Sequence, residues 1–149
     1  MFQRIVNTSN DFTWTIVRLA LGVVFLAHGA QKMLGWFSGR GVGGTIDLYR
    51  QMGFSEPLAL LAMAVEFFGG LGLIVGFLSR IAALGIISKI AVAMLTLHVK
   101  NGFFMNWSGE QRGEGIEYDL LVIALGLVVL IHGSGALSID QFLSKAPRQ

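Results

Sequence analysis

Three side chains able to exchange protons or hydrogen bonds stand at one-turn spacing in His28-Gly-Ala-Gln31-Lys32, and a fourth, Glu66, is the lone charge in the 21 residues from Leu58 to Leu78. On an α-helix, positions i, i+3 and i+4 share a face, so His28, Gln31 and Lys32 form one polar stripe. An imidazole, an ammonium and a carboxylate can bind a polar head group, relay protons or hold a metal ion. They can equally act as internal fasteners between helices. A lone carboxylate in hydrocarbon costs at least a few kcal/mol unless it is protonated, paired or wet, so what Glu66 faces decides between these readings. Ala62, Gly69 and Gly70 sit at i−4, i+3 and i+4 from it, which lets another helix approach on the face that bears the carboxylate.

The elements that must position these groups are membrane spans. Of 149 residues, 54% are hydrophobic and 13% charged, against about 25% charged in a soluble domain. Four windows are apolar enough to cross a bilayer: about Trp14 to Leu34, Leu58 to Leu78, Ile81 to Val99, and Tyr118 to His132 with its flanks. The expected fold is all-α, an integral membrane four-helix bundle of up-down topology, formed as one domain over residues 1–149 with the lipid bilayer as its solvent. No small-residue cleavage site follows the first apolar run, so that span should remain as an anchor. A net charge of +2 and no basic run with interleaved aromatics give no reason to expect nucleic acid. The absence of cysteine excludes thiol–disulfide chemistry, thiolate-ligated iron–sulfur clusters and Cys-based zinc or copper sites.

Local signals set the ends of the spans. Asn10, Asp11 or Thr13 can cap the first helix, Ser55 the second and Ser79 the third, with Pro57 tolerated in a first turn. The glycine-rich stretch from Gly35 to Gly44 breaks the first helix, and Ile46 to Met52 reads as a short helix on the membrane surface. Gly76 to Arg80 is short enough to force an antiparallel hairpin. Ser138 to Gln141 has the spacing of a capping box for a short terminal helix. With both termini on one side, Arg4, Arg18, Arg80, Lys145 and Arg148 balance five basic residues opposite, so the positive-inside rule assigns no orientation.

Up-down topology then brings His28, Gln31, Lys32, Glu66, His98, Glu117 and Asp119 into one half of the membrane. His28 and Glu66 both fall on the order of 10 Å below the loop-side surface, close enough to meet. Lys89, near mid-membrane, needs water or a partner. A bis-histidine haem is disfavoured, because His98 lies about 8 to 9 Å shallower than His28 and axial ligands must straddle one iron. No short metal-ligand motif is present, so neither haem nor a metal is expected, although imidazoles and carboxylates keep zinc or copper open. Glu66 is expected to face the bundle interior within reach of His28, Lys32 or His98. Arg18, inside the first span, is expected to pair with Asp140 or lie near it in a structural role.

At these residues the chain resembles the DoxX family of small four-span bacterial membrane proteins. The likeness rests on Arg18 with His28-Gly-Ala-Gln-Lys32, Glu66-Phe-Phe-Gly-Gly, the Gly76 to Arg80 hairpin, His98-Val-Lys-Asn-Gly-Phe-Phe104, Glu117-Tyr118 and Gly133-Ser-Gly-Ala-Leu-Ser-Ile-Asp140. It covers nearly the whole chain. Where relatives often carry Gly-Pro-Gly and Ser-Leu-Asp, this chain has Gly133-Ser-Gly and Ser-Ile-Asp, a departure confined to the terminal turn. The resemblance implies a multi-pass protein of the bacterial inner (plasma) membrane, associated with quinone-linked oxidoreductases or oxidative-stress complexes and with other subunits of such a complex. On that reading His28, Gln31, Lys32, Glu66, His98 and Glu117 would contact quinone or relay its protons. A non-catalytic membrane anchor or assembly subunit, and a metal or small-solute handling protein, are the alternatives.

Overall fold

The computed structural model describes residues 2–144; Lys145 and Arg148, two of the basic residues expected on the terminal side, lie outside the described residues. Seven α-helices follow in order: α1 (Phe2–Val6), α2 (Phe12–Met33), α3 (Gly41–Gln51), α4 (Glu56–Val75), α5 (Ser79–Ala93), α6 (Glu117–His132) and α7 (Ile139–Ser144). Helix α5 runs on through a π turn, Met94–His98, and a 3-10 turn, Val99–Asn101. There is no strand among the described residues. Phe12–Met33, Glu56–Val75 and Ser79–Asn101 are each long and apolar enough to cross a membrane. Helix α6, with 16 residues, rises about 24 Å and completes the bundle against α5 and α2.

The order of packing follows from where the small residues lie. A Cβ at Gly29 would fall on the backbone nitrogen of Phe67, and one at Gly70 on that of Leu26, so α2 and α4 cross with their backbones in contact. On the other side of α4, Gly69 lies 3.6 Å, measured from an ideal Cβ, from Ile86 of α5. Glu66, at i−4 from Gly70 and i−3 from Gly69, therefore sits where α4 is wedged between α2 and α5. Leu21, Phe25, Leu73, Ile86, Ile90 and Val122 form the apolar core below it.

The terminal side is fastened by arginines that serve as helix caps across elements. Arg18 is 1% exposed. Its guanidinium donates to the carbonyls of Leu73 and Ile74, the open C-terminal end of α4, and to those of Ser134 (2.8 Å) and Leu137 (3.3 Å). Arg80 does the same for α6, donating to the carbonyls of Leu130, Ile131 and Asn7. Five donors on a rigid plane suit this task, and a lysine would reach fewer acceptors.

The caps differ from the local expectation in two places, one of them Ser55, which holds the N-cap position of α4 but makes no side-chain capping hydrogen bond. Asp11 caps α2 by accepting from the Thr13 N–H at 2.8 Å, and Ser138 Oγ accepts from the Gln141 N–H at 3.1 Å. Ser79, however, is the first residue of α5 and not its cap. Its N–H and that of Leu78 both donate to the Asp140 carboxylate, at 3.0 and 2.8 Å, so α7 supplies the cap from 61 residues away. Leu78 is held with φ at 50°, a backbone state costly for a leucine, and this carboxylate helps to fix it there. Arg18 and Asp140 make no direct ion pair among the described residues. They act through Ser134, whose carbonyl accepts from Arg18 and whose hydroxyl donates to Asp140.

Candidate functional site: a buried carboxylate between two lysines

Glu66 is 1% exposed and receives two ammonium groups. Lys32, from the end of α2, lies 2.6 Å from Oε1 and 2.5 Å from Oε2. Lys89, from α5, lies 2.7 Å from Oε1. Three helices thus meet at one carboxylate, which has ample lone-pair capacity for both cations. The short charge-assisted bonds offset the desolvation of the carboxylate. Two cations against one anion leave the group with an excess positive charge when all three are ionised, in a medium that does not screen it.

Three further polar groups stand around this centre. His28, one turn before Lys32, is exposed at the flank of α2 within electrostatic reach of Lys32, Glu66 and Lys89. Tyr49 reaches the carboxylate's field from α3, which folds back over the loop side of α2 and bonds to it through Thr45 Oγ1 and the Lys32 carbonyl at 3.4 Å. Burial, and then the Glu66 charge, push the Tyr49 phenol up from its usual range, so it remains a neutral hydrogen-bond donor at physiological pH. Tyr118, on α6, feels both Glu66 and Asp119, and its hydroxyl is buried without a hydrogen-bond partner.

The other residues singled out in the sequence belong to different contacts. His98 Nδ1 lies 2.7 Å from Asp119 Oδ2, a separate pair joining the π turn to α6. Gln31 Nε2 donates to the Phe37 carbonyl at 3.4 Å. Glu117 accepts from Trp107 Nε1 at 3.0 Å, closing the 102–116 loop onto the start of α6. The hydrogen-bonded centre is therefore Lys32, Glu66 and Lys89, with His28 beside it and Tyr49 and Tyr118 at its rim. Lys89 carried a usable signal, since an ammonium at mid-membrane demands a counter-ion and Glu66 is the deepest acid in the sequence. No group of three or more His, Cys, Asp or Glu able to hold a metal ion occurs among the described residues.

A helical membrane bundle with a charged centre buried between its spans defines a class of multi-pass integral membrane protein. Residues 13–99 match the DoxX family model, and the chain belongs to the DoxX family. It is 25% identical over 142 residues to the Bacillus subtilis (strain 168) protein "Putative oxidoreductase CatD", covering 95% of each chain. It is 28% identical over 130 residues to "Inner membrane protein YqjF" of Escherichia coli (strain K12), covering 87% of this chain and 91% of that one. No solved structure matches the chain.

Proposed function

We propose that this protein is a subunit of a quinone-linked oxidoreductase of the bacterial inner membrane, and that the Lys32–Glu66–Lys89 centre holds the quinone head group and handles its protons. The single observation that carries the reading is the second lysine. One ammonium neutralises one carboxylate; two leave a positive charge deep in a low-dielectric region, where it favours groups that gain negative charge. A quinone oxygen gains such charge when electrons arrive, and it then takes up a proton. Lys32 and Lys89 would donate to that oxygen, Glu66 would hold both ammonium groups in position and exchange the proton, and His28 at the flank would meet a head group arriving from the lipid. The chain has no cysteine to ligate an iron–sulfur cluster, so the electrons are assigned to a partner subunit. The name given to CatD, which calls it an oxidoreductase, and that given to YqjF, which puts it in the inner membrane, support this reading.

A second reading has its own support: the three charges also bolt α2, α4 and α5 together, as a scaffold or assembly subunit would require. Lys89→Met separates the two, because Lys32 still neutralises Glu66 in the variant. With the complex purified from its native membrane, the quinone reading expects Lys89→Met to lower retained quinone about tenfold or more, a loss of roughly 1.4 kcal/mol, with partner subunits still bound. Unchanged quinone with lost partners would favour the scaffold.

A further inference from the structure

Between the loop-side surface and Glu66 lies a second set of polar groups with unspent hydrogen-bonding capacity. Asp119 is 1% exposed. One of its oxygens, Oδ2, meets His98 Nδ1 at 2.7 Å, while the other, Oδ1, is buried with no partner. The neighbouring Tyr118 hydroxyl is likewise buried and unpartnered. Buried polar atoms of this kind are nearly always satisfied in native proteins, by protein groups or by ordered water. His98 is the outermost member, with its side chain one quarter exposed. It closes the π turn Met94–His98, whose extra residue rotates the groups that follow relative to a plain helix and which is often found at functional positions.

We propose that His98, Asp119 and Tyr118 form a proton-conducting branch from the loop-side surface to the Lys32–Glu66–Lys89 centre, with bound water joining Asp119 Oδ1 to the Tyr118 hydroxyl. The transfer is a relay with no net chemistry. His98 takes a proton from solvent and passes one from Nδ1 to Asp119; Asp119 releases one through water to the Tyr118 oxygen, which gives up its own toward Glu66. One proton leaves the loop-side water, one arrives at the centre, and each intermediate group returns to its starting charge. The branch deepens the quinone reading, since that chemistry consumes protons away from bulk water, but conduction can be tested with no quinone bound. Lys32 of α2 and Lys89 of α5 contact Glu66 directly, and His28 of α2, Tyr49 of α3 and Tyr118 of α6 lie within electrostatic reach of it.

The test uses the full-length protein in lipid nanodiscs, with lysine side-chain nitrogens labelled and hydrogen–deuterium exchange at the Lys89 ammonium followed by NMR. Tyr118→Phe keeps the ring and removes the hydroxyl; Asp119→Asn keeps the shape and removes the titratable oxygen. Each is expected to slow Lys89 exchange at least about tenfold, within the range that a positioned proton-transfer group contributes. A purely structural role would give the opposite sign, because loosened packing speeds exchange. Unchanged or faster exchange in both variants would overturn the proposal and assign the route to Lys32 or to local opening. Quinone is read separately on the complex purified from its native membrane: slowed exchange in nanodiscs together with a native complex that carries no quinone keeps the branch and removes the quinone reading.

Discussion

Glu66→Gln is expected to lower quinone turnover of the assembled complex by about 10²-fold or more, because the amide keeps the shape of the carboxyl and removes both its charge and its exchangeable proton. The same change leaves Lys32 and Lys89 facing each other without a counter-ion. Breaking a buried ion pair by removing one partner costs about 3–5 kcal/mol, so the purified variant should also melt at a lower temperature. The two effects separate in the double variant Glu66→Gln with Lys89→Met, which removes one of the two stranded cations. Thermal unfolding should recover part of the loss, while turnover should stay low. Recovery of both together would mean that the centre acts through stability alone.

Arg18→Met should be the most damaging substitution on the terminal side, with a loss of about 3 kcal/mol or more in thermal or denaturant unfolding. The methionine fills much of the same space but leaves the carbonyls of Leu73, Ile74, Ser134 and Leu137 without their donor. Each buried carbonyl left unpaired costs about 1–3 kcal/mol, and the open end of α4 loses the charge that matches its dipole. Arg18→Lys should recover only part of this, since one ammonium cannot span acceptors on both α4 and the turn before α7. Quinone content per folded molecule should not change in either variant, because Arg18 binds at the opposite end of α2 from Lys32. A lysine variant as stable as the parent would contradict the capping role.

Depth along a helix can be read from sequence, and direction around the bundle cannot. Glu66 stands out because it is the lone charge of its span, and its small neighbours Gly69 and Gly70 announce close contact on two sides. Lys32 follows from its one-turn spacing to His28 and from the up-down order of the spans. Lys89 reads as a mid-membrane cation in need of a partner, but joining it to Glu66 requires knowing which face of α5 turns toward α4. His98 and Glu117 share the right half of the membrane yet bond elsewhere, His98 to Asp119 and Glu117 to Trp107. The π turn before His98 is one reason, since it breaks the register that a regular helix would carry to that residue. Asp140 shows the same limit at the terminal turn: its place in a capping box is local, whereas its service as cap for α5 spans 61 residues.

A quinone head group bound as proposed would sit at the carboxylate between the two lysines. A photoreactive ubiquinone analogue, added to membranes containing the native complex and mapped to its attachment site by peptide mass spectrometry, locates that head group. Label is expected on α2 near His28 and Lys32, on α4 near Glu66 or on α5 near Lys89, displaced by excess unmodified quinone and lost in Lys89→Met. Label spread over the lipid-facing residues, or confined to a partner subunit and indifferent to Lys89→Met, would contradict it.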